Sequence, residues 1–153
     1  MEAHLERLVG QAAPELVCLA GIGTDSAATL LIVAGDNPQR LRSEASFASL
    51  CGVSPIEASS GKVVRHRLNR GGNRDANRAL YMICLARMRR DLRTQEEYVS
   101  RRTQEGKSKR EIIRCLKRYV AREVYRVLIS CDALSSPTGP KEEAQIASGN
   151  NAA

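Results

Sequence analysis

With 153 residues, 24 Lys and Arg against 17 Asp and Glu, and a net charge of +7, the chain is one domain's worth of basic polypeptide. One Phe, four Tyr and no Trp leave the core to Leu, Ile, Val, Ala and Met, which favours helices and counts against proteins that stack single-stranded bases on aromatic platforms. No apolar run is long enough to cross a bilayer and no basic-then-apolar leader opens the chain; five widely spaced cysteines form no CxxC pair, so a reducing cytoplasm is expected, without a disulfide framework or zinc.

In chain order, residues 3–19 are expected to be helical, with Pro14 interrupting the helix or starting its second part. Gly21-Ile22-Gly23 follows, then a helix capped by Thr24 or Asp25 with Ala27, Ala28, Leu30, Leu31 and Ala34 on its packing face. Gly35 to Pro38 ends that helix, and a short helix over 44–50 stops at Gly52. Residues 53–74 change character: Val53-Ser54-Pro55 reads as a turn, Lys62 to Leu68 as a short β-ribbon or extended loop, and Gly71-Gly72-Asn73 as a second turn. From about Asp75 to Arg93 the pattern is helical, with Ala79, Leu80, Ile83, Leu85 and Met88 facing inward and the arginines outward. Thr94 to Glu97 resembles a capping box opening a shorter helix that ends at Gly106, and Ser108 to Glu111 forms a second box. The latter opens the most amphipathic helix, with Ile112, Leu116, Val120, Val124 and Val127 on one face. Beyond residue 131, Ser, Pro, Gly, Ala and charge predict a disordered tail over 132–153. The expected fold is mainly α: a helix-hairpin-helix at about 14–35, a serine- and arginine-bearing loop or β-ribbon at 53–74, and a bundle of basic helices over 75–128, all within one domain spanning 1–131.

Charge is distributed very unevenly. Residues 1–61 carry 3 basic against 7 acidic side chains, residues 62–126 carry 20 against 7, and residues 127–153 carry 1 against 3. Seven acids cannot neutralise twenty bases by i,i+4 pairing, so the middle block points to a polyanion, nucleic acid before any other. Two constellations sit beside it. Leu19-Ala20-Gly21-Ile22-Gly23 fits either a helix-hairpin-helix, whose glycines and helix N-terminus approach a DNA phosphate, or a tight αα-corner with Gly as a cap. Ser59-Ser60-Gly61-Lys62, followed by Arg65, His66, Arg67, Arg70, Arg74 and Arg78, fits either a nucleophile turn among cations or an ordinary polar loop. It lacks the spaced second glycine of a P-loop. Asp25, Asp36, Glu44, Glu57 and Asp75 are scattered without a ligand repeat, so no metal site is expected, and His4 carries no signal.

Several of these motifs occur in a fixed order: Gly21-Ile22-Gly23 with Ala27-Ala28, Phe47 through Pro55, Ser59-Ser60-Gly61-Lys62, Arg67 through Arg74, and Ala76 through Leu80. Together, over residues 14–128, the chain resembles the C-terminal domain of DEDD-type insertion-sequence transposases, relatives of the Piv DNA invertase, some of them guided by a bridge RNA. The resemblance implies a serine nucleophile in the Ser-Gly motif that joins covalently to DNA. It maps to Ser60, with Ser59 the fallback, and the DNA contacts map to Gly21, Gly23, Thr24, Lys62, Arg65, His66, Arg67, Arg70, Arg74 and Arg78. It also implies an N-terminal RuvC-like domain with four Mg2+-binding acids. That domain has no counterpart here, so the chain itself is expected to hold no cofactor and reads as a truncated or decayed copy. Implied partners are double-stranded DNA, a guide RNA, and a homo-oligomer or full-length transposase, in a bacterial cytoplasm at the nucleoid. A non-catalytic helix-hairpin-helix module and a structured-RNA binder are the alternatives.

Overall fold

The computed structural model describes residues 1–54, 56–57, 66–67 and 70–135. Over these residues the chain is mainly helical: α1 (Glu2–Ala12), α2 (Pro14–Cys18), α3 (Thr24–Asp36), a 3-10 turn (Pro38–Leu41), α4 (Glu44–Leu50), α5 (Arg74–Arg90), a π-helical segment (Thr94–Val99), α6 (Ser100–Gln104) and α7 (Lys109–Ser135). Helix α5 packs against both α3 and α7, α1 packs on α3, and α4 packs on α7. Two short strands, β1 (Ile56–Glu57) and β2 (His66–Arg67), pair antiparallel, Ile56 with Arg67 and Glu57 with His66. The rest of the expected β-ribbon lies outside the described residues, as does the expected tail beyond Ser135.

Local chemistry explains most boundaries. Pro14 opens α2 at a first helical position, where its missing N–H costs nothing, and Pro38 does the same for the 3-10 turn. Ser43 and Asn73 cap α4 and α5, accepting hydrogen bonds from Ser46 N and Ala76 N. The box at Ser108 is complete: Ser108 N donates to Glu111 Oε2 at 2.8 Å and Glu111 N to Ser108 Oγ at 3.4 Å.

Four expectations need correcting. Helix α3 is capped by the extended residue Gly23, whose carbonyl accepts from Ala27 N; Thr24 is already its first helical residue and Asp25 its second. The box expected at Thr94 does not form. Asp91 accepts from both Thr94 N and Thr94 Oγ1, while Glu97 pairs with Arg93. Arg87 points inward and is 5% exposed. Helix α7 runs four residues beyond Cys131.

The core joins Leu16, Leu30, Phe47, Leu80, Ile83, Leu116, Val120 and Val124, all fully or nearly fully buried. Phe47 reaches across to Tyr125, with ring centroids 6.0 Å apart, and the Tyr125 hydroxyl donates to the Leu41 carbonyl. Cys51 and Cys84 are packed among these side chains, and desolvation pushes both thiols up to about 12. They are inert core residues at neutral pH. Cys18, by contrast, is exposed.

Arg87 is the polar centre of this apolar assembly. Its Nε donates to the Ala20 carbonyl at 2.7 Å, and Nη2 meets Glu123 Oε2 at 2.6 Å. One side chain therefore ties α5 to the α2–α3 turn and to α7. Arg87→Met would leave Ala20 and Glu123 without their donor; because Glu123 is 27% exposed and can be rehydrated, the expected loss is about 3 kcal/mol, at the low end for a broken buried pair. A urea titration measures it.

Glu44 supplies a second tie, taking Arg122 at 3.0 Å and Arg118 at 3.3 Å from α7. The Arg122 hydrogen bond, aided by the nearby charges of Arg118 and Arg126 and opposed by partial burial, holds its carboxyl below the usual value of 4.5. A depressed folded-state value makes the stabilisation fully present above the unfolded value and lost as pH falls through the folded one. Acid unfolding followed by circular dichroism should therefore be less steep below about pH 4.5 in Glu44→Gln than in the wild type.

Candidate nucleic-acid interface

The described residues on either side of the serine- and arginine-bearing segment, after α4 and before α5, are pressed together. Gly52 takes φ +67°, in the left-handed region open to glycine. A Cβ on Gly72 would lie 2.2 Å from Gly52 N and 2.3 Å from Gly52 Cα, so the two backbones touch with no room for a side chain. Asn73 N donates to the Leu50 carbonyl at 2.6 Å, closing the same junction. Asn77, one helical turn into α5, donates through Nδ2 to the carbonyls of Cys51 at 3.0 Å and Gly52 at 3.2 Å. Lys117 Nζ, from α7, donates to Asn77 Oδ1 at 3.0 Å. The base of the loop is thus bonded to two helices of the core.

Lys117 is only 8% exposed, and burial, with a smaller contribution from Arg114, lowers its pKa against the opposing effect of Cys84. An amide oxygen is an apt partner for it: it satisfies the ammonium without importing a second buried charge. Asn77 and Lys117 were not among the sequence-derived candidates. The available signal is that Lys117 lies on a row with Ala121, Val124 and Leu128, all buried, so its spacing places it on the inner face.

Of the sequence-derived residues, Arg70, Arg74 and Arg78 are exposed and have no ion-pair partner among the described residues. Arg74 and Arg78 lie one turn apart on a single face of α5. His66 and Arg67 form β2. Ser59, Ser60, Lys62 and Arg65 lie outside the described residues. In the α2–α3 turn, Gly21 has φ +76°, and a Cβ there would come within 2.9 Å of Arg87 Cγ and 3.1 Å of the Ile83 carbonyl. Its lack of a side chain is therefore needed for packing on α5. Gly23 faces open space, and Thr24 begins α3 beside it.

Helices α3 and α5 flank an open groove of about 530 Å3, lined by Asp25, Ser26, Thr29, Ile32, Asp75, Arg78 and Met82 among others. The glycine turn itself packs further along α5, against Ile83 and Arg87, so it and the exposed Arg74 and Arg78 lie towards opposite ends of that helix. The groove's acids temper the field of Arg78 but do not pair with it. Among the described residues no three His, Cys, Asp or Glu side chains gather in a way that could hold a metal ion. No helix of the described residues is long and apolar enough to cross a membrane.

Comparison with known proteins adds to this geometry. A 96-residue stretch, 62% of the chain, is 33% identical to an uncharacterized 43.6 kDa protein of insertion element IS110 from Streptomyces coelicolor, and the match spans 23% of that protein's length. The pattern of the transposase IS116/IS110/IS902 family matches residues 14–100, a range that runs from α2 into α6 and includes the clamped loop and the arginine face of α5. The chain belongs to the IS116/IS110/IS902 transposase family.

Proposed function

We propose that this chain is the DNA-binding, serine-bearing part of an insertion-sequence transposase, working on double-stranded DNA in the bacterial cytoplasm. The observation that carries the reading is the placement of Arg70, Arg74 and Arg78, exposed and without an ion-pair partner among the described residues, at the closed junction that follows in sequence the segment carrying Ser59 and Ser60. A polyanion drawn to those guanidiniums passes beside the hydroxyl-bearing segment. Arginine forks suit phosphate oxygens, which they bind bidentately. The family to which the chain belongs moves DNA segments, and a cationic path beside a serine is the equipment such a reaction needs.

In the proposed chemistry, Ser60 Oγ attacks a backbone phosphorus, forming a new P–O bond while the bond to one deoxyribose oxygen breaks. The departing oxygen takes up a proton and leaves as a hydroxyl. Attack by a hydroxyl of another strand on the phosphoseryl ester reverses the step and frees the serine, so that phosphodiester bonds are exchanged without net hydrolysis. Lys62, Arg65 and Arg67, nearest in sequence, would stabilise the charge at phosphorus. The described carboxylates do not fit a Mg2+ site; where the reaction draws on Mg2+, we assign its ligands to another domain, RuvC-like, of a full-length transposase. A guide RNA and self-association belong to the same proposal as partners of such an assembly.

Binding is tested first. The purified chain should bind duplex DNA of arbitrary sequence with log K falling against log salt at a slope of about −4 or steeper, as expected for five or more neutralised phosphates. Arg70→Ala with Arg74→Ala should make that slope shallower by roughly two, about one for each lost contact. A flat salt dependence in the wild type would remove DNA from the reading.

The serine is tested in a full-length family transposase in which this chain replaces the corresponding segment. Ser60→Ala should abolish both strand exchange and the covalent protein–DNA adduct seen on denaturing gels, while DNA affinity stays within about twofold. Loss of the adduct in Ser59→Ala instead would move the nucleophile by one residue. Adduct formation that survives both changes would leave a non-catalytic binding module.

A further inference from the structure

The bonds that clamp the loop also fix the end of the bundle from which α7 starts. Lys117 meets Asn77 and Glu123 meets Arg87, so α5 and α7 run past each other in the same direction. Asn77 lies three residues after the start of α5, and Lys117 eight residues after the start of α7. At a rise of about 1.5 Å per residue, α5 begins about 5 Å before its contact and α7 about 12 Å before. The first two turns of α7 therefore reach the loop-bearing end of the bundle and extend past the start of α5. The intervening chain agrees. Tyr98 lies against Tyr119, with centroids 6.3 Å apart, and α6 returns from there to the turn at Gly106 that precedes α7.

That corner is basic. Lys109, Arg110 and Arg114 are exposed, and Lys107 is half-buried beside them. None has an ion-pair partner among the described residues, whereas Arg87, Arg93, Arg102, Arg118 and Arg122 are each engaged by a glutamate. Glu111 is the acid in their midst. Its carboxylate accepts from Ser108 N and Oγ, and those bonds hold it ionised below the usual range, so it offsets one of the four charges. With the capping box in place, the opening of α7 is not free to receive an anion, and the attraction comes from side chains.

We infer that Lys107, Lys109, Arg110 and Arg114 form a second phosphate-contact surface, continuous with Arg70, Arg74 and Arg78, over which the same DNA duplex runs on across the α6–α7 corner. The inference rests on the DNA-binding reading above and extends the footprint from one helix to two. Packed helices lie about 8–10 Å apart, so the two arginine rows can meet phosphates several steps apart along the duplex. Lysine and arginine reaching the backbone in this way carry no sequence information, and the effect is the same for any duplex.

The test uses the full chain and a short fluorescent duplex of arbitrary sequence, with affinity followed across a salt series. The triple change Lys109→Gln, Arg110→Gln, Arg114→Gln should make the salt slope shallower by about 2–3, and Arg110→Gln alone by about 1. Arg89→Gln with Arg90→Gln is the control: these arginines are also exposed and without an ion-pair partner among the described residues but sit at the opposite end of α5, and their loss should leave the slope unchanged. All variants should melt within a few degrees of the wild type. A wild-type slope retained by the triple variant overturns the inference while leaving the DNA reading intact. An equal effect per charge at both ends also overturns it, since binding would then follow net charge alone. A wild type with no salt dependence removes the DNA reading and the inference with it.

Discussion

The fold depends on two polar contacts made by α5 inside an otherwise apolar bundle. Asn77 and Arg87 lie ten residues apart on one helix, and each joins a backbone carbonyl on one side to a charged side chain of α7 on the other. Apolar packing among Leu, Ile, Val and Ala is permissive about register, because many arrangements bury similar area. A buried amide or guanidinium is not, since each unmade bond carries the full desolvation cost of the group. These contacts therefore select one axial position of α7 against α5. They set where the loop closes, where the Gly21 turn docks, and which end of the bundle is most cationic.

The same contacts sort the positive charge. A block of 20 basic residues against 7 acids describes attraction to a polyanion but no surface. In three dimensions the block separates into arginines occupied in structure and cations left free. Glu123, Glu44, Glu97 and Glu105 take up Arg87, Arg118, Arg122, Arg93 and Arg102, partly across helices and partly within one. Arg102 also lies over the Tyr98 ring, 5.4 Å from its centroid. Those without an ion-pair partner among the described residues include Arg70, Arg74 and Arg78 and the cations at the start of α7. Glu44, from the acidic N-terminal part of the chain, is the residue that most clearly bridges the two charge regimes.

Glycine shapes the site by allowing close approach. Gly21, Gly52 and Gly72 each lie where a methyl group would meet another part of the chain or a strained backbone angle. At Gly72 the neighbour is backbone, which cannot swing aside. Gly72, which in sequence reads only as part of a turn amid arginines, is what lets the described chain after α4 and before α5 meet.

Much was legible in the chain alone. Capping chemistry located the start of α7 through the Ser108–Glu111 box, because those bonds are made between residues three apart. Periodicity identified Ile112, Leu116, Val120 and Val124 as a buried face, because an α-helix repeats its faces whatever it packs against. Ordered motifs identified the family. What only the tertiary structure decided is the work of pairs distant in sequence. Arg87, expected to face solvent, turns inward to reach Ala20, 67 residues away, and Glu123, 36 residues away. Asn77 and Lys117, 40 apart, carry no local signature of being partners. The Gly52–Gly72 contact is likewise invisible along the chain. Local rules concern residues a few positions apart, whereas a buried charge takes whatever partner the packed helices bring within reach.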